Sequence, residues 1–279
     1  MSLFMASLNS GSNGNCYYVG NSNEAVLIDA GISCRETEKR MKRLGLSMNK
    51  LKAVFISHEH SDHISGIQTI SKKYNLPVHI STETLKNSGL SIDRNRIAIF
   101  SQKDPVSIGD LSIHAFPKLH DAADPHSFMV ECHSVKVGIF TDIGQPCEQI
   151  THYFKQCSAA FLESNYDEDM LEAGGYPIHL KKRIRGEKGH LSNAAALQLF
   201  REHRAPGLSH LILSHLSKNN NDPHIVEKMF RPVAAETSII VASRYVETSV
   251  YEIKNSGRDA GIISPVLRQP KPVQLSIFE

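Results

Sequence analysis

Ser57-His58-Glu59-His60-Ser61-Asp62-His63 places three histidines and the carboxylate of Asp62 between two regular elements. The preceding stretch, residues 51–56, is apolar apart from Lys52 and reads as a buried strand. Residues 64–74 carry Ile64, Ile67 and Ile70 at helical spacing, so one helix is expected there. The motif therefore lies where an α/β sheet presents functional groups, at the carboxyl end of a strand. His58 and His60 are two apart in extended chain, so their imidazoles can point the same way. Asp62 and His63 fall where the chain turns into the helix and face a displaced point. Imidazole together with carboxylate suits zinc, manganese or iron. Two ligand pairs at this spacing suit two metals sharing a bridging group, ~3.5–4 Å apart in two-metal hydrolases.

Working outward, residues 3–8 and 16–19 read as strands around the loop 9–15, rich in Gly and Asn. That loop is either a plain hairpin connection or a nest of backbone N–H groups beside a phosphate, with Ser12 and Asn13 in contact. Residues 25–30 form a buried strand ending at Asp29, and a helix follows over 34–44. Further strands are expected at 77–80, 97–100, 106–108, 111–116, 127–131, 135–140, 159–162, 208–213 and 237–242, the last closing the fold. Helices are expected at 147–156, 167–171, 176–185, 194–203 and 223–230, with Ser192 or Asn193 capping the fourth. Beyond 246–253 the chain turns polar. His120 lies in a loop before a strand; Asp142, Glu163 and His215 lie at strand ends; His190 lies in a loop before a helix. His114 alternates into a strand and is read as structural; His126 begins a strand and is read as packing or facing solvent.

Among the 279 residues there is no composition break before about residue 255, so residues 1–255 are read as the catalytic domain and 256–279 as a tail. A hydrophobic share of 41% is enough for a sizeable core. No run of about 18 apolar residues marks a membrane span, and the N-terminus lacks signal-peptide features. Five cysteines, odd in number and without a Cys-x-x-Cys pair, argue against a disulfide framework or a cysteine zinc site and favour a reducing cytoplasm. A net charge of +2 alone says nothing about nucleic acid.

The central stretch resembles the signature of the metallo-β-lactamase superfamily. The resemblance implies an α/β fold, the four-layer αββα sandwich. It implies that His58, His60 and His120 hold one divalent metal, that Asp62, His63 and His215 hold a second, and that Asp142 bridges them. Zinc or manganese is expected, and iron also fits. Two such cations lower the pKa of a shared water from near 16 toward ~7, giving a metal-bridging hydroxide at neutral pH. Asp29 is expected to hydrogen-bond behind the ligands. Glu163 and His190 resemble a pair found in the phosphodiesterase branch, which includes the RNase Z group: the histidine approaches the scissile phosphate and the glutamate orients it. Asp62, His190 and Glu163 are thus the expected catalytic residues. Lys181, Lys182, Arg185 and Lys188 become a track for a strand backbone, with Asn193 a further substrate contact.

The interval between Asp142 and His215 leaves no room for an inserted β-CASP domain. Gly11-Ser-Asn-Gly-Asn15, Ile56 to His63, Thr141-Asp142, Leu162-Glu-Ser-Asn-Tyr-Asp167, Gly189-His-Leu-Ser-Asn193 and His215-Leu-Ser217 together resemble the WalJ/YycJ (VicX) family. That resemblance implies a 5′→3′ DNA exonuclease of repair or replication. The alternatives are an RNA or small-phosphodiester hydrolase with the same site, and a non-catalytic metal-binding regulatory protein. Residues 264–273 contain three prolines and read as an extended linker. They lead to Gln274-Leu275-Ser276-Ile277-Phe278, which resembles the peptide by which bacterial proteins bind the DNA sliding clamp; the bland reading is an edge strand. Clamp binding would favour DNA over RNA as partner.

Overall fold

Alternation along the strands sorts the apolar side chains into three slabs. The computed structural model describes residues 2–254. Strands β1 (Leu3–Asn9), β2 (Cys16–Gly20), β3 (Ala25–Ile28), β4 (Leu51–Phe55), β5 (Val78–Ile80) and β6 (Ile97–Ile99) lie side by side in that order. Strands β7 (Val106–Ile108), β8 (Leu111–Pro117), β9 (His126–Cys132), β10 (Val135–Phe140), β11 (Ala159–Glu163), β12 (His210–Ser214) and β13 (Ser238–Val241) form the second sheet. Each sheet begins antiparallel and becomes parallel, from β3 onward in the first and from β10 onward in the second. In β11, Ala159 and Phe161 enter the slab between the sheets, and Ala160 and Leu162 the slab outside the second sheet. Strands buried on both faces read as unbroken apolar runs, which is why they are conspicuous in the sequence.

Helices α1 (Cys34–Arg43), α2 (Ser61–Ile64), α3 (Ile67–Tyr74) and α4 (Thr82–Asn87) accompany the first sheet, with Met41, Ile67 and Ile70 packed on its outer face. Helices α5 (Glu148–Phe154), α6 (Glu168–Ala173), α7 (Ile178–Arg185), α8 (Asn193–His203) and α9 (Pro223–Phe230) follow; Ile150, Phe200 and Phe230 cover the second sheet. The result is the expected αββα sandwich, and no large domain interrupts the stretch between β10 and β12 among the described residues. The cap of α8 is Ser192, whose side chain accepts from the Ala195 N–H.

Two expectations need correction. The closing strand is β14 (Tyr251–Ile253), which pairs antiparallel with β1, Leu3 opposite Ile253. It is three residues long and mostly half-buried, too short to show alternation against the polar surroundings. The single helix over 64–74 is two helices, α2 and α3, interrupted at Ser65 and Gly66. Gly66 donates to the Ala30 carbonyl at 2.8 Å, and a Cβ on it would sit 2.0 Å from the Ile32 carbonyl oxygen. That close approach docks the motif loop on the chain leaving β3. The tail, including Gln274, Leu275, Ile277 and Phe278, lies outside the described residues.

Gly66→Ala should therefore lower stability by about 2 kcal/mol, the middle of the range for forced overpacking. For a domain of this size that is about 4–8 °C in Tm by calorimetry. Gly175→Ala, where an added methyl meets nothing within 4 Å, should leave Tm within about 1 °C, as surface changes usually do.

Candidate metal centre

The carboxyl ends of β3, β4, β10, β11 and β12 bring together Asp29, His58, Asp142, Glu163 and His215. Three of these, Asp29, Asp142 and His215, have φ of 59°, 53° and 56°. Such left-handed backbone costs a non-glycine residue about 1–3 kcal/mol and persists where surrounding contacts overdetermine it. Those contacts are present. The Asp29 N–H donates to Phe55 O at 2.8 Å, the His215 N–H to Ser10 Oγ at 2.7 Å, and Lys118 Nζ to Thr141 O at 2.7 Å.

His58, His60 and His120 bring one nitrogen each within 4.8 Å of one another, and so do the ligand atoms of Asp62, His63 and His215. His58, His63 and Asp142 form an overlapping group, so Asp142 adjoins both sets. These two adjoining clusters are placed to hold metal ions together.

Hydrogen bonds fix which nitrogen each ring offers. Ser57 Oγ donates its one hydrogen to Asp29 Oδ2 at 2.8 Å, so at 2.9 Å it accepts from His58 Nδ1. His63 Nδ1 lies 2.8 Å from Asp29 Oδ2 and His215 Nδ1 3.0 Å from Glu163 Oε1. His120 Nδ1 donates to the Gly189 carbonyl at 3.1 Å. In all four rings Nδ1 is held from behind and Nε2 is turned toward the clusters, the arrangement that orients histidine ligands. Among the described residues, Nε2 of His120 and His215 and Oδ2 of Asp142 are buried without a hydrogen-bond partner. Buried polar atoms are rarely left so, and imidazole nitrogens with carboxylate oxygens are the donor set divalent cations take. The residues present fit a pair of such ions.

The field points the same way. Burial disfavours charge on His215, but Asp142, Asp62 and Glu163 outweigh it and raise its pKa to about 10. Burial also opposes charge on His63, yet Asp142, Asp29 and Asp62 hold its pKa well above the usual imidazole range. His120 has less help, and burial pulls it down to about 4. Positive charge is favoured at the Asp62–His63–His215 side.

Glu163 is fully buried. Its Oε1 accepts from His190 Nδ1 at 2.8 Å and from His215 Nδ1 at 3.0 Å, and its Oε2 from the Ile143 N–H at 2.5 Å. Burial raises its pKa, but His190 and the hydrogen bonds bring it below the ordinary carboxylate value. His190 stays a quarter exposed at a cavity of about 300 Å³ that also reaches Asp62, Asp142 and His215.

Of the expected substrate contacts, Ser12 alone lines this cavity. Asn13 turns its amide to the Arg244 carbonyl, 2.9 Å away. Lys181 is buried and its ammonium bonds the Glu172 carbonyl; Arg185 pairs with the Glu172 carboxylate. Asn193 is buried too, bonded to Ser164 Oγ and Asn221 as part of the joint between α8 and the turn after β12. Lys182 and Lys188 are exposed outside the cavity lining. The cation that does line it is Arg183, held by Asp121 at 2.5 Å. His126 is buried, bonded to Gln102 and the Asp124 carbonyl, and His114 lies 3.4 Å from Glu131.

Sequence reading missed Asn15, whose Nδ2 lies 3.2 Å from Asp62 Oδ2 and 3.1 Å from His63 Nε2. It missed Lys118 as well, a buried ammonium whose pKa burial lowers although Asp142, Asp29 and Glu163 pull it back up. Only its position, directly after a strand and two residues before a ligand-type histidine, marks it in the sequence.

Residues 24–216 match the family described as the beta-lactamase superfamily domain. The chain is 32% identical over 248 residues to a Bacillus anthracis protein named exodeoxyribonuclease YycJ, covering 88% of this chain and 94% of that one. It is 30% identical over 219 residues to exodeoxyribonuclease WalJ of Streptococcus pneumoniae serotype 2, covering 77% and 81%. Among solved structures, the metallo-β-lactamase fold protein YhfI from Bacillus subtilis superposes with a TM-score of 0.70 at 17% identity, over 90% of this chain and all of that one. With this fold and these ligand clusters the protein is a metal-dependent hydrolase. The chain belongs to the metallo-β-lactamase superfamily, and within it is homologous to the YycJ/WalJ-type nuclease-like metallohydrolases.

Proposed function

We propose that the protein is a two-metal phosphodiesterase that shortens DNA from its 5′ ends, in DNA repair or replication. The observation that carries the phosphodiester reading is His190, held at the open side of the ligand clusters by the buried Glu163. The names of the two relatives support DNA over RNA, as does the clamp-like sequence 274–278.

In this reading His58, His60 and His120 would hold one ion and Asp62, His63 and His215 the other, with Asp142, which adjoins both sets, available to each. Zinc or manganese suits the donors, and iron fits as well. Divalent cations there supply Lewis acidity, acidifying water and withdrawing charge from a phosphoryl oxygen. The side chains do the rest. Glu163 fixes the His190 ring through Nδ1, so Nε2 is the atom that meets substrate. From there it donates a hydrogen bond to the phosphoryl group and a proton to the leaving oxygen. Asn15 steadies the Asp62 carboxylate, and Lys118 braces the turn that carries Asp142. Arg183, close to His190 along the wall, is placed to exchange Asp121 for a substrate phosphate.

The test is digestion of linear duplex DNA labelled at one 5′ end, with Mn²⁺ or Zn²⁺ added. Short labelled products are expected, and none with chelator. His190→Ala should lower kcat by about 10²–10⁴, the range for a lost general acid. Cleavage of structured RNA with none of DNA would overturn the DNA assignment. Undiminished kcat in His190→Ala would remove its proposed role.

Metal removal should also register without substrate. A ligand present at about 1,000 times its Kd stabilises a fold by about 4 kcal/mol, which for a domain of this size is about 8–16 °C. Differential scanning fluorimetry should show a loss of that order on chelation and its recovery with excess Mn²⁺.

A further inference from the structure

Beside the metal cavity lies a second groove of about 220 Å³, and Ser217 lines both. Its walls come from the turn after β12 (Leu216, Lys218) and from the segment after β13 (Ala242, Arg244, Tyr245). We propose that this groove is the subsite for the nucleotide next to the scissile phosphate, with its base on Tyr245 and its phosphate between Arg244 and Lys218. The inference rests on the phosphodiesterase reading above.

Charge supports this occupant. Neither Arg244 nor Lys218 has a carboxylate within ion-pair distance among the described residues. On α7, by contrast, Arg183 carries Asp121, Arg185 pairs with Glu172, and Lys181 bonds a carbonyl. Arg244 and Lys218 thus offer unpaired positive charge on the Ser217 side. An anionic strand leaving the metal cavity meets it there.

Preorganisation supports it too. Arg244 donates from one terminal nitrogen to the Leu216 carbonyl at 2.9 Å, and that nitrogen is 2.9 Å from where a Gly11 side chain would begin. The guanidinium is thus wedged between the two loops that wall the metal cavity, with its other N–H groups still available. Its own carbonyl is held by Asn13 and that of Tyr245 by Arg40, at 2.9 and 3.0 Å. So the backbone of the segment is pinned while the Tyr245 side chain stays two-thirds exposed. An exposed aromatic ring on a pinned backbone, lining a groove with two cations, is the kind of surface that single-stranded nucleic acid binds, stacking a base and tracking its phosphate. The groove lining is mainly apolar, from Leu216, Pro223, Val241 and Ala242, which suits a base better than a second phosphate.

The experiment compares a single-stranded hexadeoxynucleotide with bis(p-nitrophenyl) phosphate, a diester that carries neither a base nor a second phosphate for the groove, both with Mn²⁺. The quantity read is the ratio of kcat/KM for the first to that for the second. Tyr245→Ala should lower the ratio about tenfold, the size of one lost base–aromatic stack. Lys218→Gln, also at an exposed position, should lower it about threefold and flatten its salt dependence. Anisotropy titration of the labelled hexamer in chelator should show the same weakening. Ratios and affinities equal to wild type in both variants would overturn the subsite while leaving the proposed activity intact. Wild-type turnover of the small diester with none of the hexamer would overturn both.

Discussion

Glu163 is fully buried, and it forms no ion pair with lysine or arginine among the described residues. A buried carboxylate left unpaired costs several kcal/mol, so its neighbours are constrained to face it. Those neighbours are His190, His215 and the N–H of Ile143, the residue after Asp142. One carboxylate thereby ties the His215 imidazole, the His190 imidazole at the open side of the cavity and the turn that presents Asp142. Their relative positions are then a property of β11, on which Glu163 is the last residue, rather than of three separate loops. Asp29 does the same at the other sheet, joining Ser57 and His63 behind the ligand cluster.

The cost of this arrangement is visible in the backbone. Asp29, Asp142 and His215 all adopt left-handed φ at strand ends. In a fold selected for stability alone, glycine or asparagine would serve better at such positions. Here the side chain is what the site needs, and hydrogen bonds to the adjoining loops hold the backbone in place. The strain sits against layers buried on both faces, where the fold has the most packing to oppose it.

Much of this architecture is legible in the sequence. Unbroken apolar runs locate the strands, because a strand covered on both faces cannot hide its pattern. Histidine and carboxylate at the ends of those runs point to the clusters around His58, His120, Asp142 and His215. Other features have no periodic signature. The break at Gly66 arises from contact with Ile32, distant in sequence, so helical spacing runs across it undisturbed. Asn15 and Lys118 act through tertiary neighbours. The basic run 181–188 shows what composition leaves out. Composition shows where cations are but not which are engaged, and here Glu172 and Asp121 engage three of them.

The pairing of β1 with β14 ties residue 3 to residue 253. A chain synthesised from its N-terminus exposes the first strand early and completes that sheet edge only when nearly everything else has emerged. Until then β1 presents an unsatisfied row of backbone groups, a template for pairing with other chains. Contacts this distant in sequence also form slowly, since loop closure comes before any reward. The strand that closes the fold is thus also the one that sets how long its nascent form stays open to mispairing.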